Sequence, residues 1–271
     1  MTNILVTGGA GQVGQVFRAL GLSELAVCDR QAMDITDTQS IIQALRRFRP
    51  TILINAAAYT NVERAEIEQE QAFAINEKAA GLLAERCAEH GVQLIHLSTD
   101  YVFDGTKGAP YEVADQTNPL NRYGQSKLAG EKAVLNANPQ AIIVRTAWLY
   151  SEFGENFQTK ILRAAKDKLQ KGEALSVVSD EWGSPTYAPD LVHFLMQLSQ
   201  QYASHNGRIL HFAGHQVMHR LAQAERLLAA ALVRGELAEL PKINAVLSQD
   251  FPTLAKRPTN SALKSSLLNV A

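Results

Sequence analysis

The chain has 271 residues, 46% of them hydrophobic and 20% charged, which suits one large domain, or a domain with a smaller appendage, and a substantial core. Its 26 basic and 27 acidic residues nearly cancel, which argues against a nucleic-acid partner or an anionic membrane surface. Two cysteines, Cys28 and Cys87, make no disulfide framework, no basic-then-apolar leader opens the chain, and no apolar run approaches the roughly 18 residues of a membrane span, so a cytoplasmic protein is expected.

Ile4, Leu5 and Val6 form an apolar run that ends in a glycine cluster and reads as a buried strand. Gly8, Gly11 and Gly14 follow at three-residue spacing and open an amphipathic stretch over 12–20. In that context Gly8 makes the tight turn, Gly11 admits a pyrophosphate to the backbone, and Gly14 lets helix pack on strand. Gln12 and Val13 then lie where a helix N-terminus faces the phosphates.

A second strand is expected over 25–28, ending at Asp29. A carboxylate there accepts hydrogen bonds from an adenosine ribose and favours NAD, whereas Arg30 beside it suits the 2′-phosphate of NADP; the pair leaves both cofactors open. Asp34 and Ile35 are placed at the adenine edge. The spacing predicts a helix over 34–48, with Ile41, Ile42, Leu45 and Phe48 on one stripe and Pro50 beyond it. A third strand, over 52–54, runs into Asn55, Ala56, Ala57 and Ala58, whose small side chains leave room for a dinucleotide.

A helix over 66–89, a strand over 92–97, a helix over 120–135 and a strand over 141–144 complete the regular alternation. It implies an α/β fold, a Rossmann-type doubly wound parallel sheet over residues 1–150. Residues 151–271 are expected to form mainly a smaller substrate-binding lobe, with some segments returning to the sheet.

Ligands of such sheets bind beyond the carboxyl ends of the strands, which places Ser98 and Thr99 for chemistry. Tyr123 and Lys127 stand four apart on the next helix and share a face. An ammonium beside a phenol favours the phenolate and makes the phenol a usable acid. A Thr99 hydroxyl could bond the same oxygen that Tyr123 protonates.

At this point the residues resemble a known family. The loop from Gly8 to Gly14, the run Ser98-Thr99-Asp100-Tyr101-Val102-Phe103-Asp104-Gly105 and Tyr123-Gly-x-x-Lys127 are similar to the extended short-chain dehydrogenase/reductase superfamily. Within it they most resemble the dTDP-4-dehydrorhamnose reductases. Arg145 to Tyr150, Asn156-Phe157, Gly183 to Thr186 and Arg257 to Ser261 continue the likeness over nearly the whole chain. The resemblance implies hydride transfer from NADPH or NADH to C4 of a dTDP-linked 4-keto-6-deoxy-L-sugar, the last step of dTDP-L-rhamnose synthesis. It implies a proton from Tyr123, a nicotinamide ribose and a lowered Tyr123 pKa from Lys127, and a carbonyl oriented by Thr99. Substrate contacts are implied for Thr99, Asp100, Tyr101, Phe103, Trp148, Asn156 and Arg257, although Trp148 also reads as a core aromatic.

The chain departs from the family where Gln15 and Val16 stand in place of a metal-binding glutamate, and the final helix usual in the family is expected to be absent. No bridging metal is expected, and a monomer or weak homodimer rather than the metal-bridged pair. His211, His215 and His219 invite a metal, but no Cys or carboxylate completes a ligand set. Rival readings are a nucleotide-sugar dehydratase or 4-epimerase, a reductase of another sugar such as a streptose type, and a non-catalytic subunit like the methionine adenosyltransferase β subunit. Dehydratases of this superfamily follow the Thr with Asp-Glu, whereas Asp100-Tyr101 stands here.

Overall fold

The protein is described by a computed structural model covering residues 3–251 and 253–266. The expectation about a final helix concerns residues 267–271 in part, which lie outside the described residues. Strand β1 (Ile4–Thr7) leads into helix α1 (Gln12–Ala19), β2 (Leu25–Val27), α2 (Thr38–Phe48) and β3 (Ile52–Asn55). Helices α3 (Val62–Ala65), α4 (Gln69–Phe73) and α5 (Ala80–Glu89) precede β4 (Gln93–Thr99), α6 (Arg122–Ala137) and β5 (Ile142–Thr146). After the short β6 (Leu149–Tyr150) come α7 (Phe157–Lys171), β7 (Leu175–Val178), β8 (Trp182–Gly183), β9 (Thr186–Tyr187) and α8 (Ala188–Gln200). The last elements are β10 (Ile209–His211), β11 (Met218–His219), α9 (Arg220–Val233) and β12 (Ile243–Val246).

Six strands form one parallel sheet in the order β10-β5-β4-β3-β1-β2. Side chains alternate across it. Ile4, Val6, Ile54 and Leu97 face α1 and α8, while Leu5, Leu53, Leu94 and Ile143 face α2 and α5. Both faces are thus covered, as parallel sheets require. The chain moves outward from β1 to β2 and then to β3 on the opposite side, so the strand order reverses between β1 and β3. Such switch points open a crevice at the carboxyl ends of the strands.

The segment after β5 divides its work. Helix α8 packs on the sheet and β10 extends its edge beside β5. Helices α7 and α9 and strand β7 instead enclose a separate small core around Ile161, Leu175 and Leu228. Among the described residues no helix is long and apolar enough to cross a membrane.

Two elements differ from the expected ones. Helix α2 starts four residues later than position 34, because Asp37 supplies the cap through the Gln39 amide at 2.9 Å. Asp34 is occupied with the Thr36 amide and hydroxyl in the preceding turn. The long helix expected from 66 to 89 starts at Gln69 and widens into a π turn over Ala74–Ala79. There the Asn76 side chain holds both backbone groups of Tyr59 and reaches the Ser126 hydroxyl at 2.9 Å. A 3.6-residue pattern cannot signal that widening, which sits beside the site as such turns often do.

Beneath α6, Arg145 of β5 grips Glu131 with two parallel bonds of 2.8 and 2.7 Å, and Ser98 donates to the same carboxylate at 2.5 Å. All three side chains are buried. Removing one partner leaves a buried, uncompensated charge. Arg145→Leu is therefore expected to cost about 3–5 kcal/mol in urea-unfolding experiments, and a loss below about 1 kcal/mol, the level of an exposed pair, would contradict this account.

Candidate active site

A cleft of about 1340 Å³ runs along the carboxyl edge of the sheet, between it and the lobe of α7, β7 and α9. This exceeds the ~300–1,000 Å³ of most small-ligand pockets and leaves room for two extended ligands. One end is backbone. Gly8 takes φ +73°, and a Cβ there would lie 2.7 Å from the Ala56 carbonyl carbon. Gly14 packs under the loop, where a Cβ would meet the Gly8 oxygen at 2.4 Å. Gly11 caps α1 without a side chain, so no side chain competes for the first-turn amides that an anion would take. The loop and the first turn therefore fit a dinucleotide pyrophosphate.

Gly8, Gly11, Gln12, Val13, Arg30, Asp34, Ile35 and Ala56 to Ala58 all line this end. Gly14 lies beneath it rather than on its wall, where the tight packing puts it. Asp29 is not on the wall either. Its Oδ1 accepts from the amides of Gln31 and Ala32 at 3.1 and 3.0 Å, and its Oδ2 faces Arg18 at 3.5 Å. The carboxylate is turned into its own loop, and those bonds hold it below the ordinary range. Arg30 stays at the cleft, paired with Asp34 at 3.0 Å.

The reactive end is built on β4 and α6. Asn121 caps α6 through the Gly124 amide at 2.8 Å. Gly124 permits a close approach: a Cβ there would sit 2.2 Å from the Tyr101 carbonyl oxygen. Tyr123 and Lys127 consequently reach the cleft beside Thr99, Asp100 and Tyr101. The Tyr101 and Tyr123 rings meet edge to face, 5.9 Å between centroids. Lys127 is buried and donates to the Leu97 carbonyl at 2.6 Å. Burial lowers it from 10.5 to about 8, against the pull of Glu131.

The Tyr123 phenol departs from expectation. The residue is half-buried at the cleft, and burial pushes its phenol above the ordinary 10. Thr99 draws it down in part, and Asp100 and Tyr101 push it up. One of the ammonium's three donors goes to β4 at the Leu97 carbonyl.

The substrate-facing residues divide. Thr99 donates to Asp100 at 3.0 Å and accepts from the Tyr101 amide at 3.2 Å. Asn156 lines the cleft, but both ends of its amide are used: it caps α7 through Thr159 and holds the carbonyls of Ser151 and Phe153. Phe103 does not reach the cleft. It is fully buried, stacked on Tyr111 at 4.1 Å and under the Arg145 guanidinium at 5.3 Å. The turn at Asp100–Val102 rotates it into that core, so it is a packing residue rather than a substrate contact. Trp148 lines the cleft with the Arg220 guanidinium 3.3 Å from its ring centroid. Arg257 lines it too, tied to Glu63 at 2.9 Å.

Arg220 and Glu181 also line the cleft, 4.0 Å apart, and neither stands in a motif. Arg220 begins an ordinary amphipathic helix, and only the fold brings it to Trp148. The three histidines serve other ends. His211 donates through Nδ1 to the Tyr111 carbonyl and faces Arg145, His219 caps α9 through the Ala222 amide, and His215 is exposed. Among the described residues no three His, Cys, Asp or Glu side chains are grouped as a metal would require.

A dinucleotide crevice at a switch point, with a tyrosine and a lysine one turn apart at its reactive end, defines an oxidoreductase of the short-chain dehydrogenase/reductase type. A family model described as the RmlD substrate binding domain matches residues 1–271. The dTDP-4-dehydrorhamnose reductase of Aggregatibacter actinomycetemcomitans is 37% identical over 97% of this chain and 90% of its own length. The dTDP-4-keto-6-deoxy-D-glucose reductase of Streptomyces niveus is 44% identical over 74% of this chain and 69% of its own. The crystal structure of the Bacillus anthracis dTDP-4-dehydrorhamnose reductase in complex with NADP superposes with a TM-score of 0.89 at 30% identity, covering 98% of this chain and 92% of that one. The chain belongs to the dTDP-4-dehydrorhamnose reductase family.

Asp100 supplies a test of the site's burial. Its Oδ2 has no well-placed hydrogen-bond donor among the described residues, and the nearby Ser261 hydroxyl draws the carboxyl down without satisfying that oxygen. Burial wins, raising the group from 3.8 to about 6. The folded state thus binds this proton more tightly than the unfolded chain, and stability is lost as pH rises through the folded value. Relative to the native chain, Asp100→Asn is expected to be more stable at about pH 8 than at about pH 4. Equal differences in urea midpoint at the two pH values would contradict that.

Proposed function

We propose that this protein reduces the C4 ketone of dTDP-4-dehydrorhamnose to give dTDP-L-rhamnose, with NADPH as reductant. When bound, the reduced nicotinamide supplies the hydride. The carrying observation is the convergence of Thr99, Tyr123 and Lys127 on one wall of the cleft that begins at the glycine loop. Thr99, its hydroxyl turned from Asp100 to the substrate, donates to the ketone oxygen, and Tyr123, kept protonated by burial, gives its proton to that oxygen as charge develops. Lys127 holds the nicotinamide ribose and, once the site is filled, steadies the phenolate left behind. Arg30 at the cleft and Asp29 turned away from it favour NADPH over NADH. Arg220 and Arg257, which line the cleft with Trp148, are the candidates for the two phosphates of the sugar nucleotide in this reading. The lobe formed mainly by residues 151–271 is the substrate-binding part. A cytoplasmic location is supported by Cys28 and Cys87, both buried and unpaired.

The decisive assay follows NADPH oxidation with dTDP-4-dehydrorhamnose. Tyr123→Phe is expected to lower kcat by about 10²–10⁴-fold while leaving NADPH affinity intact. Unchanged turnover in that variant would remove Tyr123 as the acid. The Streptomyces niveus relative supplies the competing substrate, and preferred turnover of dTDP-4-keto-6-deoxy-D-glucose would move the assignment to another 4-keto sugar.

A further inference from the structure

Under the floor of the cleft, four buried polar side chains run in file from β1 to α6. The Thr7 hydroxyl donates to Asn55 Oδ1 at 2.6 Å, Asn55 Nδ2 meets His96 Nδ1 at 2.9 Å, and His96 Nε2 stands 3.5 Å from Lys127 Nζ. One backbone group sets the direction of the whole file. The Ala57 N–H points at Asn55 Oδ1 and Thr7 Oγ1, each at 3.2 Å. Turning the Asn55 amide over would set its NH₂ against that N–H, leave both donors to share the Thr7 oxygen, and strip the buried Thr7 hydroxyl of the acceptor it now has. Asn55 therefore keeps its oxygen toward β1 and its NH₂ toward the imidazole. His96 Nδ1 must accept, and in a neutral ring the proton then sits on Nε2. The ring is neutral, since burial and the neighbouring Lys127 charge hold it well below 6.5.

An N–H is thus presented to the lysine. It opposes the ammonium, donor against donor, and suits the free amine, whose lone pair would accept it. The other groups facing Lys127 work the opposite way. From β4 the Leu97 carbonyl accepts from it, and from its own helix Glu131 favours the charge. Glu131 is itself engaged by Arg145 of β5 and Ser98 of β4, and Tyr123 lies one turn before the lysine.

We propose that His96, locked as the Nε2–H tautomer by Asn55, is a positioning residue that lowers the pH at which Lys127 gives up its proton, and so sets the alkaline edge of cofactor binding and turnover. The inference rests on the reading of Lys127 as the group that holds the cofactor. His96 does not line the cleft, so it acts through the lysine.

Asn55→Asp tests it. A carboxylate keeps the bonds from Thr7 and Ala57 but offers His96 only an acceptor. The ring proton moves to Nδ1 and the Nε2 lone pair turns to the ammonium. The alkaline limb of NADPH affinity, read by fluorescence without any sugar, is expected to move up by about one pH unit or more, and the limb of kcat with it. The new charge alone would raise Lys127 somewhat, so the substitution is repeated in a His96→Leu background. If the shift survives there undiminished, charge explains it and the proposal fails; an unmoved limb in Asn55→Asp also overturns it. Should His96→Leu not fold, ¹⁵N NMR of the imidazole in the native, ligand-free protein decides. Nε2 carrying the proton at neutral pH supports the proposal, and Nδ1 carrying it ends it. The cofactor titration and the NMR need no sugar, so a wrong sugar assignment leaves both standing, and loss of turnover on dTDP-4-dehydrorhamnose alone bears on the sugar.

Discussion

Burying a lysine between β4 and α6 is the constraint on which the reactive end depends. An ammonium taken from water costs several kcal/mol even after relaxation. Two partners offset that cost here, the Leu97 carbonyl and Glu131 one turn further along α6, while His96 stays neutral and adds no second buried charge. Tyr123, Lys127 and Glu131 are spaced four apart, so one face of α6 carries the candidate acid, the cation and the counter-charge in register. Glu131 cannot stand alone either, and the fork from Arg145 anchors it to β5. The helix is held to the sheet by the same groups that make it chemically active.

That depth of burial requires close backbone approach, and two glycines provide it. A Cβ at Gly124 would meet the Tyr101 oxygen at 2.2 Å, and one at Gly130 the Asn76 oxygen at 2.0 Å. The first lets α6 close on the turn that carries Thr99, and the second lets it close on the π turn. Asn76, within that turn, binds Tyr59 and Ser126, so α6 is located from a second direction. The distances among Thr99, Tyr123 and Lys127 are thus set by packing on both sides of the helix, which is how catalytic groups come to be rigid.

The two ends of the cleft were not equally legible from the amino-acid order. The cofactor end is made by backbone, and backbone geometry leaves local marks: glycines at fixed spacing, an apolar run before them, a helical stripe after. The six-stranded sheet followed from such marks for five of its strands. Its sixth, Ile209–His211, is three residues long and pairs with β5 across more than sixty intervening positions, so no local pattern marks it. At the substrate end the outcome depends on where side chains turn, which spacing does not fix. Asp29 stands at the strand end where a ribose partner is looked for, yet its own loop amides claim it. Phe103 and Tyr101 are two apart in one motif, and the 3₁₀ turn sends one to the core and the other to the cleft. Arg220 carries no motif, because what makes it part of the site is the indole beneath it.

Trp148 shows how the two ends are joined. It is one of two non-glycine residues among those described with positive φ, at 47°. Such a backbone costs a large residue on the order of 1–2 kcal/mol and persists only where its surroundings over-determine it. They do so here. The Thr186 amide donates to its carbonyl at 3.2 Å, and the indole lies so close to Gly183 that a Cβ there would be 2.2 Å from the ring. On its other side the ring carries Arg220. The strained residue sits two positions after β5 ends, where the chain leaves the sheet for the lobe. Relaxing it would swing the indole away from Gly183 and release the arginine stacked upon it. The strain therefore serves placement: it holds an aromatic plane and a guanidinium against the cleft at a point fixed by the sheet, although Arg220 itself belongs to the lobe.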